Sequence, residues 1–460
     1  MDLLDEWHNS KSAKCLLIHG ARQVGKTYIV ERFAESRYGH TITINFSKDE
    51  RAIGVFDHVL DVDSIILNLS AIYPQMDFVP HDTLIFLDEI QLCPQARTAL
   101  KFFATDDRYD VIASGSLLGL RKNEVESYPV GYVHSIRMEP MDFEEFLWAL
   151  DIKEAVIEHL RGCIREQKPV GDSILATMNQ YLNWYMIVGG MPEAVKSFVE
   201  RRDLYGVRNA HADITNDYKD DVTKHAEPSQ RFNVSECFES IGPQLAKENK
   251  KFMYSDIGNG LSASVGADYY RYSINWLKDA GIIRQCFNVT EPHLPLEERE
   301  IKKAFKLYMV DTGLLMSSYD PSLRVKVLDG DIDVNRGAVA ENLIAQMLSS
   351  QGRPLLYFRR DRDPDTNGTD RMEVDFLAII GGELTAIEVK SGENRGCRSL
   401  NKVMERFQVK GMMFETRDIF VDDKGVRHYP MFVAAFMDAI DPISEPHLDF
   451  DSVDRLNSMF

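Results

Sequence analysis

Short unbroken apolar runs punctuate the first part of this chain: Leu16-Leu17-Ile18, Leu84-Ile85-Phe86-Leu87 and Val111-Ile112-Ala113. Runs of this length without alternation predict parallel strands buried on both faces. Tyr28-Ile29-Val30-Glu31-Arg32-Phe33 follows the first of them with helical spacing. From about residue 143 to 225 the period is helical: Phe143-Glu144-Glu145-Phe146-Leu147-Trp148 opens it and Tyr181-Leu182-Asn183-Trp184-Tyr185-Met186 resumes after a break at Pro169-Val170-Gly171. Gly189-Gly190-Met191-Pro192 predicts a sharp turn. Two further helix-length patterns occupy 235–245 and 268–280, the second closed by Gly281 and followed by the strand-like Ile282-Ile283-Arg284-Gln285-Cys286-Phe287-Asn288-Val289. In the last third, Glu373-Val374-Asp375-Phe376-Leu377-Ala378-Ile379-Ile380 and Leu384-Thr385-Ala386-Ile387-Glu388-Val389-Lys390 flank Gly381-Gly382, which predicts a β-hairpin. The order of patterns gives a multidomain α/β protein.

At 460 residues the chain exceeds one ordinary core and suggests roughly three domains. Apolar residues make up 44% and charged residues 27%, so the chain folds rather than remaining disordered. A formal charge of -19 repels nucleic acid and anionic membranes as a whole, and leaves room only for a local basic groove. The six cysteines never form C-x-x-C, which argues against a zinc site and for reduced thiols. The acidic start Met1-Asp2-Leu3-Leu4-Asp5-Glu6 lacks the layout of a signal peptide, and no run is long enough for a membrane span. A cytoplasmic protein without a membrane partner is the expectation.

Candidate chemistry begins at Gly20-Ala21-Arg22-Gln23-Val24-Gly25-Lys26-Thr27, a complete G-x-x-x-x-G-K-T between a strand and a helix. Its glycines let backbone N–H groups wrap round phosphates at a helix N-terminus. Lys26 can reach the β- and γ-phosphates of ATP and the Thr27 hydroxyl can coordinate Mg²⁺. The run Thr83-Leu84-Ile85-Phe86-Leu87 ends in Asp88 and Glu89. Carboxylates at the end of a buried strand are costly unless they serve a ligand. Asp88 suits the Mg²⁺ shell, and Glu89 suits polarising the water that attacks the γ-phosphate. Ser114-Gly115-Ser116 ends the third strand. It reads equally as a phosphate contact at a strand end or as a plain turn.

These strings, with Pro129-Val130-Gly131, Met141-Asp142-Phe143-Glu144-Glu145-Phe146-Leu147 and Val188-Gly189-Gly190-Met191-Pro192-Glu193-Ala194, resemble a prokaryotic family of AAA-type ATPases carrying a C-terminal domain of uncertain function. The resemblance covers nearly the whole chain. It implies a RecA/AAA-like αβα P-loop core over 1–142, with Gly25, Lys26, Thr27, Asp88 and Glu89 in the family's roles and Ser114 or Ser116 as a polar sensor. It also implies a helical lid over 143–228. The lead-in before the first strand is shorter than the family's usual one. Arg22, Arg97, Arg108 and Arg137 are candidates for an arginine finger, and one acting in trans requires a homo-oligomer.

Helix, helix, glycine stop and strand suggest a winged-helix-like segment over 229–325. Lys247, Lys250, Lys251, Arg271 and Lys278 could meet a nucleic-acid backbone there, or could simply be solvated on a protein-docking module. In the final domain, 326–440, Glu388 and Lys390 share one strand face and Asp375 sits on the partner strand. Two carboxylates and a lysine on one sheet surface can hold a divalent metal and position an attacking water. The D-(x12)-E-x-K spacing is similar to that of restriction-endonuclease-like nucleases of the PD-(D/E)xK type, with Val374 standing where proline often precedes the aspartate. That resemblance implies a further acid on a helix, for which Glu341 is the candidate. Arg336, Arg353, Arg359, Arg360, Arg362, Arg395, Arg398, Lys402 and Arg406 could line a DNA or RNA groove, offset by Asp361, Asp363 and Asp365. The alternatives are an amphipathic hairpin guarded by Glu and Lys, or an inactive domain serving as a protein-interaction module of a signalling or scaffold ATPase. Residues 441–460 read as a tail.

Overall fold

The computed structural model describes residues 1–10, 14–57, 60–116, 131–257, 267–328, 336–362, 369–392 and 396–441. Of the residues singled out above, Pro129, Val130, Asp363, Asp365, Arg395, the side chain of Arg336 and the tail from 442 onward lie outside that set. The chain divides into two units: Met1–Leu150 with Asn183–Cys286 and Lys303–Gln346, and Asp151–Leu182 with Phe287–Lys302 and Met347–Phe460.

The first unit is built on five strands, β1 (Cys15–Gly20), β2 (His40–Asn45), β3 (Thr83–Asp88), β4 (Asp110–Ser116) and β5 (Val133–Met138). They form one sheet in the order β2-β3-β4-β1-β5, parallel throughout. Side chains alternate across it. Leu16 and Ile18 pack with Val30 and Phe33 of the helix Lys26–Arg37, whereas Leu17 joins Ile85, Leu87 and Val111 against Ala96, Ala99 and Leu100 of the helix Pro94–Asp106. Both faces of β1, β3 and β4 are covered, which is why those three strands carry no polar alternation. The chain leaves β1 for β2 at one edge and places β5 on the other side of β1. Ligands of open α/β sheets bind outside the strand C-termini at such a reversal.

The rest of this unit is helical. Asp142 and Glu145 form a reciprocal capping box on the helix Phe143–Ala149. Asp203 caps the long helix Leu204–His225 by accepting from the N–H groups of Tyr205 and Gly206. The turn at 189–190 has a specific cause. Gly189 has φ +71°, and a Cβ there would stand 2.2 Å from Oδ1 of Asp311, a buried residue whose Oδ2 accepts the Gly190 N–H at 2.6 Å. The helices Arg231–Leu245 and Ala267–Asp279 follow. Among the described residues no helix is long and apolar enough to cross a membrane.

The second unit contains the ends of β6 (Ile283–Val289) and β7 (Glu300–Met309), and all of β8 (Leu356–Arg362), β9 (Thr369–Ile380), β10 (Glu383–Val389), β11 (Lys410–Glu415), β12 (Phe420–Val421) and β13 (Arg427–Pro430). The sheet order is β12-β13-β11-β10-β9-β8-β6-β7. β9 and β10 form the hairpin, turning at Gly381 and Gly382 (φ +60° and +76°), and β10 pairs in parallel with β11 on its other side. The helix Arg398–Phe407 closes a core with Leu400 and Val403 packed among Val374, Leu377, Ala386 and Met413. The molecule is therefore mixed α/β with a parallel-sheet core.

Candidate functional site

The phosphate-type loop leaves β1 at Gly20 and enters the helix Lys26–Arg37 through Gly25, which adopts a left-handed conformation (φ 94°). Lys26 is almost fully buried, at 9% exposure, and its Nζ donates to the carbonyls of Ala21 at 2.8 Å and Gly20 at 3.4 Å. Those are weak partners for an ammonium. Burial holds its pKa below the usual range, opposed by Glu89 and Asp88 and reinforced by Arg22. A buried cation whose hydrogen bonds among the described residues go to backbone carbonyls fits an anionic ligand.

Asp88 ends β3 and is the hub beside it. Its Oδ2 accepts from the Thr27 hydroxyl at 3.2 Å and from Asn45 Nδ2 at 2.7 Å, and its Oδ1 accepts from the Ser114 hydroxyl. The pattern follows from the sheet: Asn45 is in register with Asp88 on β2–β3, and β4 delivers Ser114 from the opposite side. A hydroxyl and a carboxylate at contact distance are oxygen donors of the kind Mg²⁺ takes. Glu89 adopts a left-handed conformation (φ 57°) and accepts from Gln91 Nε2. Ser116 lies two residues beyond Ser114, partly buried.

Ala21 and Val24 are buried in the loop, while Arg22 and Gln23 point toward the helix Leu204–His225. Arg22 Nε meets Asp221 Oδ2 at 2.6 Å, and Gln23 donates to Asp217. Arg108 is paired with Asp63 and Asp106, and Arg137 with Glu139. Three of the four finger candidates are thus held in ion pairs within the chain. Asn45, Gln91, Asp217 and Asp221 were not singled out from the sequence. Asn45 had a signal, as a polar end to the alternating His40-Thr41-Ile42-Thr43-Ile44 run, but its neighbour is set by sheet order. The helical acids had none.

In the second unit a cleft of about 290 Å³ is lined by Arg371, Glu373, Asp375, Glu388, Arg398, Ser399 and Lys402. Asp375 and Glu388 are each 8% exposed. Asp375 Oδ2 accepts the Val389 N–H at 2.9 Å, across the hairpin, and Lys390 Nζ lies 2.6 Å from Glu388 Oε1. The hairpin therefore brings Asp375, Glu388 and Lys390 together. Arg398 and Lys402 face the cleft from one helix, joined by Arg371, which sequence reading passed over. Arg359 is taken up by Asp361 and Glu373, Arg353 by Asp441, and Arg360 lies over the Phe407 ring.

Glu341 belongs to the first unit and is engaged there. It pairs with Lys250 and Lys306, the latter at 3.2 Å, and accepts from the Tyr308 hydroxyl at 3.1 Å. Lys247 likewise pairs with Asp256 at 2.7 Å. Two of the five cations that might have met nucleic acid are neutralised internally. Among the described residues no group of three or more His, Cys, Asp or Glu is placed to hold a metal ion.

Three family models match the chain: an AAA domain over residues 12–147, a domain of unknown function (DUF8612) over 179–322 and another (DUF4143) over 336–429. Residues 12–147 are an AAA-type P-loop ATPase domain. Among solved structures, the chain is similar to the Walker-type ATPase PABY2304 of Pyrococcus abyssi, at 14% identity and a TM-score of 0.38 over 69% of this chain and 93% of that one. The Orc1 protein of Aeropyrum pernix in complex with DNA matches at 14% identity and 0.27, over 69% and 87%. Drosophila ORC bound to DNA matches at 13% and 0.28, over 71% and 92%. No curated protein matches.

Proposed function

We propose that the protein is a Mg²⁺-dependent ATPase whose nucleotide cycle regulates a nuclease-like domain that binds, and cleaves, DNA or RNA. The observation that carries the ATPase half is the convergence of Thr27, Asn45 and Ser114 on one strand-end carboxylate, Asp88, whose charge also acts on the buried Lys26. In this reading the loop N–H groups and Lys26 bind the β- and γ-phosphates, and Thr27 and Asp88 hold Mg²⁺. The metal supplies charge neutralisation on the phosphate oxygens. Glu89 orients a water toward the γ-phosphorus and accepts its proton as the bond to the departing ADP oxygen breaks. Ser114 holds Asp88 in place, and Ser116 is the second candidate sensor. The partition 1–142, 143–228, 229–325, 326–440 and 441–460 belongs to the proposal, as do the winged-helix-like and restriction-endonuclease-like assignments and a cytoplasmic location.

For the second half, Asp375 and Glu388 are the metal-holding acids, Lys390 the charge-offsetting lysine, and Arg371, Arg398 and Lys402 the phosphate-backbone contacts. The presence of Asp375, Glu388, Arg371, Arg398 and Lys402 in one cleft, with Lys390 paired to Glu388, supports this reading. Lys26→Ala is expected to abolish ATP turnover, and unchanged turnover overturns the ATPase. Metal-dependent nicking that persists undiminished in Asp375→Ala and Lys390→Ala overturns the nuclease.

A second reading is favoured by the engagement of Glu341 with Lys250, Lys306 and Tyr308. With that acid committed, the C-terminal domain keeps its cleft but only captures a partner protein. Nucleotide-dependent protein binding without salt-sensitive nucleic-acid binding distinguishes it.

A further inference from the structure

Away from both clefts, the first unit carries an open cavity of about 450 Å³ lined by the helices Leu204–His225, Arg231–Leu245 and Pro321–Leu328. Arg324 lines it at 7% exposure. Its guanidinium makes no hydrogen bond or ion pair among the described residues, and its Nε is fully buried without a partner. A second cation, Arg208 of the helix Leu204–His225, lines the same cavity and its charge acts on Arg324. Glu239, the one acid in the lining, is already paired with Lys219 at 2.8 Å. Burial, with Arg208 added, pushes the Arg324 guanidinium down from its usual pKa.

This arrangement is costly as it stands. An arginine stays charged under all ordinary conditions. Removing its water without supplying a counter-charge costs several times what a surface charge does, and a second guanidinium nearby adds repulsion. Among the described residues nothing offsets this: His211, itself buried, is held neutral at pH 7, with its pKa pushed down to about 4 by burial and further by Arg324. Two guanidinium groups round an open volume match a planar or tetrahedral oxyanion, each able to give two parallel hydrogen bonds. Phe238, Leu314 and Leu315 add apolar surface to the lining. The volume lies in the range of small-molecule sites, roughly 300–1,000 Å³, and far exceeds what a bare phosphate fills.

We propose that this cavity binds a small organic phosphate, its phosphoryl group held between Arg208 and Arg324 and its organic part against Phe238, Leu314 and Leu315. The site is separate from the ATP loop, although the helix Leu204–His225 serves both: it carries Arg208 into the cavity and Asp217 and Asp221 to Gln23 and Arg22.

The test uses the full chain carrying Lys26→Ala, so that the P-loop contributes little. Calorimetric titration with AMP, glucose 6-phosphate and inorganic phosphate is compared with the same protein bearing Arg324→Met or Arg208→Met. An organic phosphate is expected to bind with one-to-one stoichiometry and inorganic phosphate more weakly. Each arginine variant is expected to weaken that binding about tenfold or more. Arg324→Met is also expected to raise the melting temperature of the ligand-free protein, because the unpaired buried cation is gone. Should Arg324→Met fold poorly, the exposed Arg208→Met decides alone. Absence of binding by every probe up to about 10 mM, or binding by the arginine variants as tight as that of the parent protein, overturns the site.

Discussion

Arg22, inside the phosphate-binding loop, is clamped to Asp221 of the helix Leu204–His225 by a 2.6 Å ion pair. Gln23 beside it donates to Asp217 of the same helix. Two acids thus stand next to the place where a triphosphate would bring three to four negative charges. Asp221 is buried, which raises its pKa to about 6 against the opposing pull of Arg22 and Lys224, with Asp217 and Glu89 adding to the rise. Asp221→Asn is expected to tighten ATP binding about three- to tenfold at neutral pH, by removing one like charge and freeing Arg22. Calorimetric titration of ATP into both proteins checks it. An unchanged Kd would reduce the pair to a structural contact.

Glu89 stands in a left-handed conformation at the end of β3 with Gln91 on its carboxylate. If it is the group that takes the proton from water, Glu89→Gln keeps the shape and loses the base. Turnover is then expected to fall about 10²- to 10⁴-fold while ATP affinity stays within a few-fold of wild type. Phosphate release and nucleotide binding, measured on one preparation, separate the two effects.

Asp311 gives a stability signature with a definite sign. It is fully buried, and burial raises its pKa from 3.8 to about 6 despite backbone N–H groups that favour the ionised form. The folded state therefore holds its proton more tightly than the unfolded chain. The stabilisation is complete below about pH 3.8 and is lost as pH rises through about 6, with a span of about 3 kcal/mol from this one group. Urea denaturation at a series of pH values is expected to show a component of that sign, and Asp311→Asn is expected to remove it. Asp221 shifts in the same direction, so the difference between Asp311→Asn and wild type is the quantity to read.

The same aspartate explains the glycine before it. Any Cβ at Gly189 would meet Asp311 Oδ1 at 2.2 Å, on a backbone of φ +71°. Gly189→Ala is expected to destabilise the protein by about 2–4 kcal/mol, seen as a lower urea midpoint. An undiminished midpoint would mean that the turn is free to relax.

In the second unit, Arg398 and Lys402 lie on one helix over Asp375 and Glu388. If this cleft meets a nucleic-acid backbone, Arg398→Glu and Lys402→Glu are each expected to weaken binding and lower the slope of log K against log salt by about one. Fluorescence anisotropy across a salt series reads both. Equal slopes in wild type and variants would move any binding elsewhere.

Local pattern determined a good deal of this molecule. The strand before Gly20, the left-handed passage at Gly25, the buried strand ending in Asp88 and Glu89, and the hairpin at Gly381-Gly382 all follow from short-range rules. Hydrophobic period and backbone freedom act over a few residues, and these features ask for nothing more. Tertiary structure decided which groups meet. Asn45 reaches Asp88 because β2 pairs with β3. Arg371 joins Asp375 because both lie on β9 under the helix Arg398–Phe407. Glu341, helical and acidic in the sequence, is committed to Lys250, Lys306 and Tyr308 from distant segments. The meeting of Arg208 with Arg324 has no trace in the sequence at all. Periodicity reports which face of an element is buried, whereas the partner across that face is chosen by packing of the whole unit, and electrostatic complementarity is settled only once those partners are in place.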